Sequence, residues 1–103
     1  MKIPNKVKIG GFDWTIIESN DVTQESQTFG STHYQKQKLF IEVEETDQKK
    51  GQTLLHEIIH AIIWQTGLIE RLKNKEYNPS EEELVQAISM QLYQVLHDNN
   101  LTF

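Results

Sequence analysis

Two kinds of hydrophobic pattern divide this chain. In the first half, short apolar runs are bounded by turn-forming residues. Val7-Lys8-Ile9 and Phe12-Asp13-Trp14-Thr15-Ile16-Ile17 flank Gly10-Gly11, a hairpin signal, and Ser19-Asn20-Asp21 closes the second run. A third strand is expected over Thr28 to Tyr34, followed by a polar turn at Gln35-Lys36-Gln37-Lys38. Beyond it Leu39, Ile41 and Val43 alternate with Phe40, Glu42 and Glu44, the period of two that marks a half-buried strand.

The second half reads as helices. The first should run from about Asp47 to Thr66, with Gly67 as its stop. Gly51 weakens its first turn, so a later start is also compatible with the pattern. From Leu54 to Trp64 this helix is apolar on nearly every face, apart from His56, Glu57 and His60. A helix apolar all round is normally central and buried, so three titratable side chains on it need partners. The second helix opens cleanly. Pro79 precedes Ser80, and Ser80-Glu81-Glu82-Glu83 has the form of a capping box. Leu84, Val85, Ile88, Leu92, Val95 and Leu96 are expected to form its core face, with an end near Asp98-Asn99-Asn100. Leu68 to Asn78 should be a charged connection, with room for some helix of its own. Together these elements predict an α+β fold: a small antiparallel sheet packed on the first long helix, closed by the second. Trp14 and Trp64 are expected in the core.

Composition narrows the function classes. The 103 residues suit a single domain spanning 1–103, and 37% hydrophobic with 24% charged residues describes a globular chain. A net charge of -5 argues against nucleic acid as a partner, since phosphate backbones need a basic field. The lysines at 36 and 38, the pair at 49 and 50, and the stretch from Arg71 to Lys75 read as solvated faces near element ends. No apolar run approaches the roughly 20 residues that span a bilayer, and Met1 to Lys6 lacks the apolar core of a secretory signal, so a cytoplasmic location is expected. Cysteine is absent, so a transition metal would have to be held by His and carboxylate groups.

That restriction gives His56-Glu57-Ile58-Ile59-His60 its meaning. Residues four apart stack on one helix face, so two imidazoles can grip one ion. Glu57 is rotated by about 100° from His56 and can reach a water on that ion without being a ligand. Zinc suits such ligands and lowers the pKa of a bound water toward about 7. Glu57 would take the water's proton as it attacks a carbonyl and pass it to the leaving amine. A catalytic zinc usually has three protein ligands. The longer motif with a third His is excluded, because Ile63 and Thr66 stand where Gly and His would be required. The third ligand is expected from the first turn of the second helix, where Glu83 is engaged in the cap. Glu82 should point toward the first helix, with Glu81 as the alternative. His33 and Tyr34 could stabilise an oxyanion at the end of a strand beside the metal helix. His97 is assigned no role.

Thr53-Leu54-Leu55-His56-Glu57-Ile58-Ile59-His60-Ala61 resembles the active-site helix of small phage-type, ImmA/IrrE-like metallopeptidases. The resemblance extends to the Phe29-Gly30 to Val43 strand pair and to Glu82-x-x-Val85 with Ile88 and Ser89, covering roughly residues 28 to 97. It implies a minimal zincin-like fold, zinc held by His56, His60 and Glu82, Glu57 as general base, and a polypeptide substrate. The alternative reading is a non-catalytic, zinc-stabilised binding or regulatory module of phage origin. Glu57 separates the two, because a purely structural site has no use for a base.

Overall fold

The computed structural model describes residues 3–20, 29–72 and 80–98. The elements in chain order are strands β1 (Lys6–Ile9), β2 (Phe12–Ser19), β3 (Gly30–His33) and β4 (Lys38–Glu42), then helices α1 (Asp47–Gln65), α2 (Ile69–Leu72) and α3 (Glu81–Asp98). The architecture is α+β. Short α2 lies within the charged connection, whose residues 73–78 fall outside the described residues, as do Pro79 and, at the expected start of β3, Thr28.

β1 and β2 form the expected hairpin, with Ile9 opposite Phe12. Gly10 and Gly11 both have positive φ, 56° and 88°, as a two-residue primed turn requires. The sheet as a whole corrects the expectation of a purely antiparallel one. Its order is β1-β2-β4-β3, and β2 runs parallel to β4 with Ile16 opposite Leu39. Alternation along a strand fixes which side chains share a face, not which way the neighbouring strand runs. Parallel neighbours need a long connection. Here residues 20 to 37 supply it, with β3 laid along the far edge and the Tyr34–Gln37 turn returning β4 to the middle. Gln37, at φ 54°, donates its N–H to the Tyr34 carbonyl at 3.2 Å to close that turn.

β4 ends two residues earlier than its alternation suggests. The Glu42 carboxylate is buried and accepts the Glu44 N–H at 3.1 Å, while the Val43 N–H still donates to the Ser19 carbonyl of β2 at 3.1 Å. The Val43 side chain is exposed, whereas Leu39 and Ile41 are fully buried.

α1 begins at Asp47, capped by the Thr46 hydroxyl, which accepts the Lys49 N–H at 3.3 Å. It stops where Gly67 takes a φ of 82°. Gly51 does not delay its start. A Cβ there would lie 3.1 Å from the Tyr93 ring, so the glycine marks where α3 packs close against α1.

α1 separates two apolar clusters. Leu54 and Ala61 pack against Ile9, Trp14, Ile16, Leu39 and Ile41 of the sheet. Leu55, Ile59 and Ile63 pack against Val85 of α3. Each large aliphatic side chain so buried contributes about 1.5–3 kcal/mol. Gln65 ties the helix end to the hairpin: its Oε1 accepts from Trp14 Nε1 at 3.1 Å, and its Nε2 donates to the Ile9 carbonyl at 2.8 Å.

α3 starts as predicted, with the Ser80 hydroxyl accepting the Glu83 N–H at 3.1 Å. Its buried face differs from the expected one. Val85 and Ser89 are buried, with Leu84, Tyr93 and Leu96 packed beside them, whereas Ile88 is 42% exposed and Leu92 is exposed as well. The contact line follows Val85, Ser89 and Tyr93, because a small serine lets the helices approach. Ile88 is rotated to the side of that line. The side chains of Val95 and His97 lie outside the described residues. Among the described residues, no helix is long and apolar enough to cross a membrane.

Candidate metal centre

His56, Glu57 and His60 occupy the stretch of α1 that lies between its two apolar faces. His60 is 9% exposed and Glu57 is 6% exposed. The two imidazole rings meet edge to face, with centroids 4.9 Å apart, as the four-residue spacing requires. Glu82 reaches across from the first turn of α3. Its Oε1 lies 2.8 Å from His56 Nε2 and its Oε2 lies 3.1 Å from His60 Nε2. One donor atom from each of His56, His60 and Glu82 falls within 4.8 Å of the others.

Glu81 and Glu82 divide between them the two nitrogens of His60. While Glu82 faces Nε2, Glu81 Oε1 lies 2.8 Å from Nδ1. A neutral imidazole carries one N–H, so it can donate to one of these carboxylates and must turn a lone pair to the other. Nitrogen lone pairs facing carboxylate oxygens call for a cation between them, either a proton or a metal ion. Two imidazoles and a carboxylate are a donor set that zinc accepts. The residues therefore fit the ion that the motif implies.

Glu57 stands beside this group without joining it. Its Oε1 accepts the Thr32 hydroxyl at 2.7 Å. Burial pushes the Glu57 carboxyl above the ordinary range, and the Thr32 hydrogen bond and the two imidazoles pull it back down. β3 can approach α1 this closely because it begins at Gly30. A Cβ at that position would meet Thr53 Cγ2 at 2.7 Å, Glu57 Cγ at 3.0 Å and Glu57 Oε2 at 3.1 Å. Gly30→Ala should therefore displace Glu57 and cost about 1–3 kcal/mol of stability by overpacking. Thermal melting measures that cost. Chelator competition should find zinc affinity near that of the parent protein, and a large fall would mean that β3 also supports the ligands.

The centre lines a cleft of about 580 Å³ whose walls include Phe29, Gly30, Gln86 and Ser89. A second cleft of about 540 Å³ shares Phe29, Glu45 and Lys49 with it, and the Lys49 ammonium sits 5.6 Å from the Phe29 ring centroid.

The structure separates His33 from Tyr34. Thr32 faces α1, so His33 points to the opposite side of β3, where it is exposed and its ring lies 4.5 Å from that of Phe40. Tyr34 stacks on Trp64 at 5.2 Å. Its phenol is pushed up to about 12, first by burial and then by the charges of Glu81, Glu57 and Glu82. Tyr34 thus stays a neutral donor within electrostatic reach of the carboxylates, while His33 is remote from them. Trp14 is fully buried as expected, but Trp64 is 39% exposed, its ring stacked on Tyr34 of the turn between β3 and β4. Of the basic clusters, Lys36 and Lys49 are exposed, and Lys50 pairs with Glu18 of β2 at 2.7 Å.

Sequence reasoning missed Thr32. Its signal was available: Gly30 inside a strand marks a close backbone approach, and Thr32 lies two residues on, on the same face. Comparison with protein-family models, with curated proteins and with solved structures finds no match.

Proposed function

We propose that this chain is a small zinc-dependent peptidase of the ImmA/IrrE-like, zincin kind, acting on an extended polypeptide. The observation that carries the reading is a buried carboxylate that lines the cleft beside the His56–His60–Glu82 group yet is held apart from it by Thr32. A structural metal site would close the ion with a fourth ligand and would gain nothing from a destabilising buried acid next to it.

His56 and His60 would present their Nε2 atoms, and Glu82 its carboxylate, to a single ion. Zinc bound there would polarise a carbonyl and make water nucleophilic at neutral pH. The chain's own share of the work falls to Glu57. Thr32 occupies Oε1, which leaves Oε2 to take a proton from the attacking water and return it to the leaving amine. The cleft of about 580 Å³ at the centre, with a second of about 540 Å³ adjoining it at Phe29, Glu45 and Lys49, supports an extended substrate.

Metal analysis of the purified protein, paired with an assay on an unfolded polypeptide, tests this reading. One zinc per chain together with cleavage is the expected result. Zinc without cleavage of any unfolded polypeptide would favour the binding-module alternative, and absence of bound zinc after reconstitution would remove both.

A further inference from the structure

The metal-centre reading leaves one half-buried carboxylate of the cluster, Glu81, without a task, and this inference rests on that reading. We propose that Glu81 is a positioning residue: it accepts the Nδ1–H of His60 and so presents Nε2 to the metal. The two atoms lie 2.8 Å apart, a length typical of hydrogen bonds to an ionised acceptor. Both side chains are largely shielded, with 11% of His60 and 22% of Glu81 exposed, against 68% for Glu82. A bond held away from water keeps its directional strength.

Helical geometry accounts for the division of labour. Adjacent residues on α3 are rotated by about 100°, so Glu81 and Glu82 come toward the ring from different directions. They bracket His60 instead, one at each nitrogen. An imidazole whose Nδ1 is committed as a donor has its lone pair on Nε2, the atom that faces Glu82 and His56. The acceptor also fixes the ring plane and makes Nε2 more basic, as partners of metal-bound histidines generally do. His56 differs, since among the described residues no carboxylate pairs with its Nδ1. The effect of Glu81 should therefore be confined to His60.

A competing explanation is that Glu81 merely complements the helix macrodipole, as carboxylates in a first turn often do. Glu83 shares that turn, and Glu83→Ala removes the same charge without touching the ring. The test compares Glu81→Ala, Glu81→Gln and Glu83→Ala in the full chain. Competition with a chelator gives zinc affinity, and long-range proton–nitrogen spectra of the zinc-loaded protein report the ring nitrogens of each histidine.

Glu81→Ala should weaken zinc binding by about 10–100-fold and lose or shift the Nδ1–H signal of His60, with the His56 signals unmoved. Glu81→Gln should recover most of the affinity, because an amide oxygen accepts the same bond. Glu83→Ala should leave affinity and spectra near the parent values. Equal affinity and an unchanged His60 signal in Glu81→Ala would overturn the proposal. So would loss of zinc as complete as in Glu82→Ala, which would make Glu81 a ligand. A parent protein that binds no zinc would bring down the metal-centre reading and the proposal with it, whereas the other two outcomes strike the role of Glu81 and leave the centre standing.

Discussion

Glu57→Gln should retain zinc, lose hydrolysis by about 10²–10⁴-fold, and yield a metal-free protein more stable than the parent at neutral pH. The amide keeps the size of the side chain but cannot accept the proton. Because Glu57 is not among the converging donors, zinc stoichiometry should not change. The stability gain follows from burial. Removing the carboxylate from water raises its folded-state pKa above the unfolded value, so the folded protein holds that proton more tightly. Ionising it in place is the unfavourable step. The cost is absent below the unfolded pKa, appears as pH rises through it, and is complete above the raised folded value. Thr32 and the imidazoles, which favour the ionised form, reduce the cost without reversing its direction. Melting curves of the two metal-free proteins should coincide near about pH 4 and separate toward neutrality. Parent-level turnover in the Gln variant would refute the assignment of the base, and identical melting at all pH values would contradict the burial argument. A stability gain bought by removing function is typical of residues kept for chemistry.

Glu82→Ala should release the metal. Losing one of three ligands removes more than the about 10–100-fold attributed to an outer partner. The thermal stabilisation that zinc confers should vanish with it, and for an ion present at 100 times its dissociation constant that amounts to about 2.7 kcal/mol. Ser80→Ala is the informative contrast. It removes the acceptor of the Glu83 N–H in the same turn of the same helix, and it should cost about 0.5–2 kcal/mol with much of the zinc affinity kept. Chelator competition separates the two variants. If Glu82→Ala still binds zinc with parent affinity, the contacts of Glu82 with the two imidazoles are ordinary hydrogen bonds.

How much of this was legible in the sequence depends on how local the signal was. The paired histidines and the glutamate between them could be placed because helical spacing alone brings them to adjoining faces. Helical phase likewise pointed Glu82 toward α1, where its carboxylate meets both imidazoles, and glycines marked the hairpin at residues 10–11 and the end of α1 at Gly67. What escaped depends on partners distant in the chain. No strand pattern states that β4 runs parallel to β2. Val43 matched the alternation, but its side chain lies exposed just past the end of β4, where the Glu42 carboxylate takes the Glu44 N–H. Ile88 and Leu92 matched a core pattern, but the packed line was drawn through Ser89, where a small residue admits α1. Thr32 could be recognised as the partner of Glu57 only after β3 was known to lie against α1. Glu81 looked like a competitor of Glu82 until the orientation of the His60 ring set them on opposite edges.

The two clusters that meet on α1 fasten the parts of this centre to different bodies. Thr32 holds Glu57 to the sheet side, while Glu82 arrives on α3, whose packed side chains belong to the second cluster. An ion held by His56 and His60 of α1 and by Glu82 of α3 would act as a rivet between the two helices. Fraying of α3 would carry Glu82 away from the two histidines while the sheet, α1 and Glu57 stayed in register. Under the proposed reading the molecule would then lose its ion without unfolding, and regain it when the helix settled back.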